Sequence, residues 1–228
     1  MDKLWYLKRC DIFHGLSKDD MDKVLAVASD RTVPKKEIIY TPEDESGVMF
    51  ILKKGRVRVF KLSADGKMIT LAILKDGDIF GAMSEINTGA SGAYAETLED
   101  SYICSIRQQD FHKLVQGMPE VAMGLINKIN QKLQDAEDRI ADLVFRDVPG
   151  RIASVLLKLS EQFGKDSPAG TKISFKITHQ ELADMVGTTR ETATVILNEL
   201  KEDKVLKIED KYITIIDEKA LKEWAGRE

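Results

Sequence analysis

The side chains best suited to chemistry lie in one run, Thr178-His-Gln-Glu-Leu-Ala-Asp-Met-Val-Gly-Thr-Thr-Arg-Glu-Thr-Ala-Thr-Val-Ile-Leu-Asn-Glu-Leu200. Arginine can donate two hydrogen bonds to guanine O6 and N7, glutamate can accept one from cytosine N4, and threonine can meet a phosphate or a thymine methyl. Arg190 and Glu191 are adjacent, with Thr188, Thr189, Thr192 and Thr194 around them. The pattern predicts two short helices to position them, Thr178 to Met185 and Thr189 to Lys201. Thr178 is placed to cap the first helix, with Glu181 three residues on completing a capping box. Leu182, Ala183 and Val186 make its apolar face, and Gly187 marks a sharp turn. Thr188 or Thr189 caps the second helix, which Val195 or Ile196, with Leu197 and Leu200, packs back on the first. Two helices about a short Gly-containing turn match a helix-turn-helix, whose second helix enters the major groove. The spacing alone fits equally a helical hairpin in a core, with Arg190 and Glu191 as solvated charges.

Other chemistry finds little support. Cys10 and Cys104 form no C-x-x-C, and His14, His112 and His179 are far apart with no H-x-H pairing. Zinc, redox-dithiol and cupin-like metal readings therefore fail, and no nucleophile–base pair suggests an enzyme. No metal or cofactor is expected. With 34 Lys and Arg against 38 Asp and Glu, the net charge is −4, so bulk attraction to nucleic acid is absent. From Pro149 onward the balance is 13 basic to 14 acidic residues. Phosphate affinity would have to come from a few placed groups and from doubling in a dimer. No apolar stretch approaches the ~18 residues that span a bilayer. The start lacks a basic region followed by an apolar core, so no membrane partner and a cytoplasmic location are expected.

At 228 residues the chain suits one large domain or two modest ones. Residues 20 to 110 read as β structure after a helix from Lys18 to Ser29 capped by Ser17. Val48 to Leu52 is an apolar run closed by Lys53-Lys-Gly55, Arg56 to Phe60 alternates at period two, and Met68 to Leu74 returns after the turn Ala64-Asp-Gly66. Thr97 to Ile106 offers one more strand. Short strands at this spacing argue for a sandwich or barrel. After Pro119 the texture changes: Ala122, Ile126, Ile129, Leu133, Ala136, Ile140 and Leu143 are spaced 4, 3, 4, 3, 4, 3. That narrow seam suits a long parallel dimer helix; the alternative is a helix lying on its own β domain. Val148-Pro-Gly150 ends the pattern. A second lobe follows: a helix from Arg151 to Phe163, a loop over Gly164 to Gly170, a strand over Lys172 to Lys176, the helix pair, a hairpin over Val205 to Ile216 turning near Asp210, and a last helical turn over Glu218 to Ala225.

These pieces together resemble the CRP/FNR (cAMP receptor protein-like) family of bacterial transcription regulators, over nearly the whole chain. The likeness rests on Asp147-Val-Pro-Gly-Arg-Ile-Ala153, on Gly-Thr-Thr-Arg-Glu-Thr at 187–192, and on Gly77-Asp-Ile-Phe-Gly81. It implies an α+β protein: a double-stranded β-helix (jelly-roll, cyclic-nucleotide-binding-like) domain over 1–117, a dimerisation helix over 118–146 and a winged helix-turn-helix over 147–228. It implies a homodimer on double-stranded DNA, reading an inverted repeat, with RNA polymerase as a partner if the protein activates. By resemblance Arg190 and Glu191 are the guanine- and cytosine-reading pair, and Thr178, Gln180, Thr189 and Thr192 are phosphate and backbone contacts.

The departures concern the effector. In cAMP-binding members the turn after the Gly81 position carries a Glu, then an Arg-Ser pair for the cyclic phosphate. Here those positions are Ala82, Ser91 and Gly92, and the Thr-Ser pair of the long helix falls on Ala136 and Glu137. A phosphate pocket without its Arg loses a strong charge-assisted bond. The effector pocket, if retained, would involve Gly81, Ala82, Met83, Ser91, Gly92 and Ala93, and cAMP is not expected in it. The family's haem binders place a Cys/His pair where Ala82, Met83 and Ser84 stand, and its iron–sulfur members need clustered cysteines. Val195 replaces an Arg that reads a second guanine in many members, so the half-site should be related to, but not identical with, the TGTGA type. The competing reading is a ligand-binding β module whose C-terminal lobe contacts protein.

Overall fold

The computed structural model describes residues 6–7, 10–44, 47–81 and 92–226. The chain divides into two compact units, Met1–Gln134 and Asp135–Glu228. The first opens with a 3-10 turn, Asp11–Phe13, and helix α1, Lys18–Val27. The Ser17 hydroxyl accepts from the Asp20 N–H at 3.1 Å, the expected cap. Among the described residues eight strands follow: β1 Ser29–Val33, β2 Ile38–Tyr40, β3 Val48–Lys54, β4 Val57–Leu62, β5 Met68–Leu74, β6 Ile79–Phe80, β7 Tyr94–Thr97 and β8 Ser101–Arg107. They form two antiparallel four-stranded sheets, in the orders β1-β8-β3-β6 and β2-β7-β4-β5, the two layers of a jelly roll. The strand expected over 97–106 is present as β8 from Ser101 on, but Thr97 is the last residue of β7. The chain turns at 98–100 and passes from one sheet to the other.

The uninterrupted apolar run in β3 has a physical reason. Phe50 and Leu52 join a core with Val57, Val59 and Ile103, while Met49 and Ile51 join another with Phe13, Phe111 and Leu114. A strand covered on both faces cannot alternate with polar residues. Lys53, expected to close the strand, continues it and is buried. Its ammonium lies 2.6 Å from the Asp30 carboxylate, which also accepts from the Tyr102 hydroxyl at 2.9 Å. Burial and the adjoining Asp30 push Tyr102 up to about 12. Helix α2, Gln108–Gly117, lays Phe111 and Leu114 on the second of these cores.

Cys10 and Cys104 are both buried in that same core. Burial pushes the Cys10 thiol up to about 12, which leaves almost no nucleophilic thiolate. In native protein at pH 8, neither cysteine should react with iodoacetamide within an hour, and both should react in denaturant. Mass spectrometry checks this; rapid labelling of folded protein would contradict it.

The long helix α3, Pro119–Phe145, runs through the boundary between the units. Its first turns bury Val121 and Leu125 in the first unit's core. The second unit holds α4 Val148–Phe163, β9 Gly164–Ser167, β10 Gly170–Ile173, α5 His179–Val186, α6 Arg190–Glu202, β11 Leu206–Glu209, β12 Tyr212–Ile215 and α7 Glu218–Ala225. Pro149 ends nothing beyond Phe145; it sits in the first turn of α4, where its missing N–H is no loss. The Asp147 carboxylate caps that turn, accepting from the Gly150 N–H at 2.7 Å. The segment expected as a loop over 164–170 contains β9, an edge strand paired with β10 in a sheet ordered β11-β12-β10-β9. The strand expected over 172–176 begins and ends earlier, at Gly170–Ile173. The β11–β12 hairpin turns where expected, through Asp210 and Lys211, both with positive φ. The expected last turn is a full eight-residue helix, α7.

Candidate nucleic-acid interface

Helices α5 and α6 are set against each other by local rules. The Thr178 hydroxyl accepts from the Glu181 N–H at 3.1 Å, and the Glu181 carboxylate accepts from the Thr178 N–H at 2.7 Å, so the capping box is complete. Gly187 ends α5 in the left-handed region, with φ 70°. Its N–H and that of Thr188 both return to the Ala183 carbonyl, at 2.9 and 3.1 Å. Thr189 then caps α6, accepting from the Thr192 N–H at 3.2 Å. Removing the first cap by Thr178→Ala should lower stability by about 1 kcal/mol, seen as a reduced Tm. An unchanged Tm would mean the box adds nothing.

Leu182, Ala183 and Val186 of α5 are buried, as are Ala193, Ile196, Leu197 and Leu200 of α6. Of the two candidates for packing, Ile196 is therefore the one inside, and Val195 is 56% exposed. Gln180, Thr189, Arg190 and Glu191 are exposed, and Thr178, Thr188, Thr192 and Thr194 are half-buried. Neither the Arg190 guanidinium nor the Glu191 carboxylate has a hydrogen-bond or ion-pair partner among the described residues. Two charged groups are thus displayed, uncommitted, on the first turn of α6, where the helix dipole favours phosphate nearby.

The hydroxyl of Thr194 is committed elsewhere. It donates to the Arg190 carbonyl at 2.7 Å and lies 2.8 Å from Nδ1 of His179, so it joins the two helices. Burial, then the charges of Arg190 and Lys201, hold His179 below its ordinary range, so the ring is neutral at pH 7. Sequence reading passed over His179 because its partner is fifteen residues away on another helix. Gln180 donates to Asp184 at 2.8 Å, leaving its amide oxygen as an acceptor.

On α3, every large seam residue is exposed: Ile126, Ile129, Leu133, Ile140 and Leu143, with Leu133 at 57% and Ile140 at 62%. Ala122 is half-buried and Ala136 exposed. Val144 and Phe145 extend this apolar surface at the helix end. Of the expected effector residues, Ala82, Met83 and Ser91, together with Ser84, lie outside the described residues. Gly81 has φ 118°, and a Cβ there would run into the Val48 carbonyl oxygen, so glycine is required. Gly92 has φ 65° and Ala93 is buried in the roll. Beside Gly81 the roll is tied to α3: the Lys128 ammonium lies 2.8 Å from Asp78, and Lys132 donates to the Ile79 carbonyl at 3.3 Å. Burial disfavours the Lys128 charge, but Asp78 and Asp11 outweigh it and hold the ammonium above its ordinary range.

Comparison with known proteins agrees with this geometry. Residues 30–117 match the cyclic nucleotide-binding domain and residues 150–224 the Crp-like helix-turn-helix domain. A roll of the first kind joined to a helix-turn-helix of the second defines a two-part transcription regulator. Over 202 residues the chain is 31% identical to the Cyclic AMP receptor protein of Thermus thermophilus, covering 89% of this chain and 90% of that one. It is also 31% identical over 185 residues to the Global nitrogen regulator of Synechococcus elongatus, covering 80% and 83%. Among solved structures, a CooA mutant from Carboxydothermus hydrogenoformans superposes with a TM-score of 0.77 at 31% identity, covering 89% and 90%. The chain belongs to the CRP/FNR family of transcription regulators.

Proposed function

We propose that the protein is a homodimer that binds an inverted-repeat DNA operator in a sequence-specific way, without cAMP. The observation carrying this is the exposed Arg190/Glu191 pair, with no partner among the described residues, on the first turn of a helix whose other face is buried. A dimer would place two such turns about one DNA turn apart. The exposed seam of α3 supplies the surface for that dimer, through Ala122, Ile126, Ile129, Leu133, Ala136, Ile140 and Leu143. Arg190 reads guanine, Glu191 reads cytosine, and Thr178, Gln180, Thr189 and Thr192 meet the backbone. RNA polymerase is a partner if the bound dimer activates transcription.

Independence of cAMP rests on two features. The positions for its phosphate and ribose are Ser91, Gly92 and Ala82, which cannot supply the charge-assisted bonds. Second, Lys128 and Lys132 already fasten α3 to Asp78 and to Ile79 at the start of β6, a link that needs no effector. Selection from a random duplex pool with ligand-free protein, followed by gel shift at two salt concentrations, tests the reading. An inverted repeat should be recovered, and its affinity should fall steeply with salt because phosphate contacts release counterions. Recovery only in the presence of cAMP would overturn the effector reading. No recovery in any condition would favour a protein-contacting lobe.

A further inference from the structure

The last carbonyls of a helix have no partner within it and ordinarily face water. Those of α5 do not. The Met185 carbonyl accepts from Nη2 of Arg139 at 2.6 Å, and the Val186 carbonyl accepts from Nε of Arg151 at 3.2 Å. Arg139 comes from the end of α3 that lies in the second unit, and Arg151 from the first turn of α4. Arg151 also donates through Nη1 to the Arg146 carbonyl at 3.0 Å, just past the end of α3. One planar guanidinium thus bridges the end of the long helix and the end of the first helix of the pair. The corner itself is bonded further. The Asp142 carboxylate lies 2.6 Å from Nε of Arg146 and accepts from the Ser154 hydroxyl at 2.7 Å.

These bonds matter for geometry more than for bulk stability. Cations at a helix C-terminus are favoured by the dipole. Arg139 is sufficiently desolvated that burial lowers its ordinary range, so its bond is poorly screened by water. Each bond fixes the C-terminal end of α5, and α5 fixes α6 through the Gly187 turn and the His179–Thr194 contact. A change of angle at residues 146–150 would strain the bonds that span it, Arg139 to the Met185 carbonyl, Arg151 to the Arg146 carbonyl and Ser154 to Asp142, while the Arg151–Val186 bond holds α5 to α4 on the far side.

We propose that Arg139 and Arg151 are positioning residues that lock the helix-turn-helix to the end of the long helix and so set the half-site spacing the protein accepts. The spacing half of this statement rests on the DNA-binding reading above; the lock itself does not. The two arginines differ in what can replace them. The ammonium of an Arg139→Lys variant keeps the charge and a donor for the Met185 carbonyl, whereas that of Arg151→Lys lacks the fork that spans the Val186 and Arg146 carbonyls. Arg139→Lys should therefore preserve the lock and Arg151→Lys should not.

The test uses full-length protein carrying Glu137→Cys and Glu199→Cys, both exposed sites, labelled with spin labels for distance measurement. With each labelled chain diluted into an excess of unlabelled chains, so that a dimer carries one labelled copy, the parent should give one narrow distance distribution between the two positions. Arg139→Gln and Arg151→Gln should each broaden it, with Arg139→Lys close to the parent. A pool of duplexes differing only in spacer length provides the second readout. The parent should prefer its best spacer over one base pair more or less by roughly tenfold, and the Gln variants by under about threefold. Distributions as narrow as the parent in both Gln variants would overturn the lock, whatever the DNA result. Broadened distributions with a parent that binds no duplex would leave the lock standing and remove the DNA reading instead. If Arg151→Gln fails to fold, the pair Arg139→Gln and Arg139→Lys decides alone.

Discussion

Arg190→Ala is expected to weaken operator binding by roughly 30-fold to 10⁴-fold while leaving the protein dimeric and folded. A bidentate arginine–guanine pair contributes ~1–3 kcal/mol of discrimination. The proposed dimer would carry two such pairs, so the loss is about 2–6 kcal/mol, and each ~1.4 kcal/mol is tenfold. Folding should not suffer, because the guanidinium is exposed and bonded to nothing among the described residues. The loss should also be selective. Preference at the guanine should relax, while the slope of affinity against salt changes little, since the contact is to a base and not to a phosphate. Fluorescence anisotropy with the selected operator and with a base-substituted copy measures both quantities. Affinity within a factor of two of the parent on both duplexes would remove Arg190 from base reading.

The helix pair that presents Arg190 was legible in sequence because each of its determinants is local. A cap at Thr178, its partner Glu181 three residues on, a glycine that takes positive φ and a second cap at Thr189 are all visible within a dozen residues. The seam on α3 was legible for the same reason, being a period along one helix. What escaped was non-local or weakly patterned. Strand β9, Gly-Lys-Asp-Ser, has no apolar alternation because it is an edge strand needing only one paired side. Lys53 looked like the polar stop of a strand, and its burial is explained only by Asp30, twenty-three residues earlier. The choice between Val195 and Ile196 could not be made from spacing, since adjacent positions share a helix face until a neighbour fixes the rotation; α5 fixes it in favour of Ile196. Arg151 stands in the 147–153 run, but that it and Arg139 hold the end of α5 was not legible, because the α5 carbonyls they reach are 35 and 46 residues away.

The seam leads to the other large effect. Replacing Leu133 and Ile140 together by aspartate should convert the dimer to monomers and lower operator affinity by about 10²–10⁴-fold, the range over which linking two sites raises avidity. Both side chains are more than half exposed in the single chain, at 57% and 62%. Aspartate there meets water in the monomer and costs its fold little. In a dimer the same carboxylates would be buried against their symmetry mates, where unpaired like charges are strongly unfavourable. The Tm at low concentration, where the parent is already dissociated, should hence stay close to the parent value, while sedimentation shows a single 25.6 kDa species. The opposite pattern belongs to a helix lying on its own β domain: a lowered Tm at every concentration and no change in sedimentation. Val121 and Leu125 already occupy that inward position on α3 and are buried in the first unit's core, whereas the large apolar residues at 126–143 are exposed, the surface that the proposed dimer would cover.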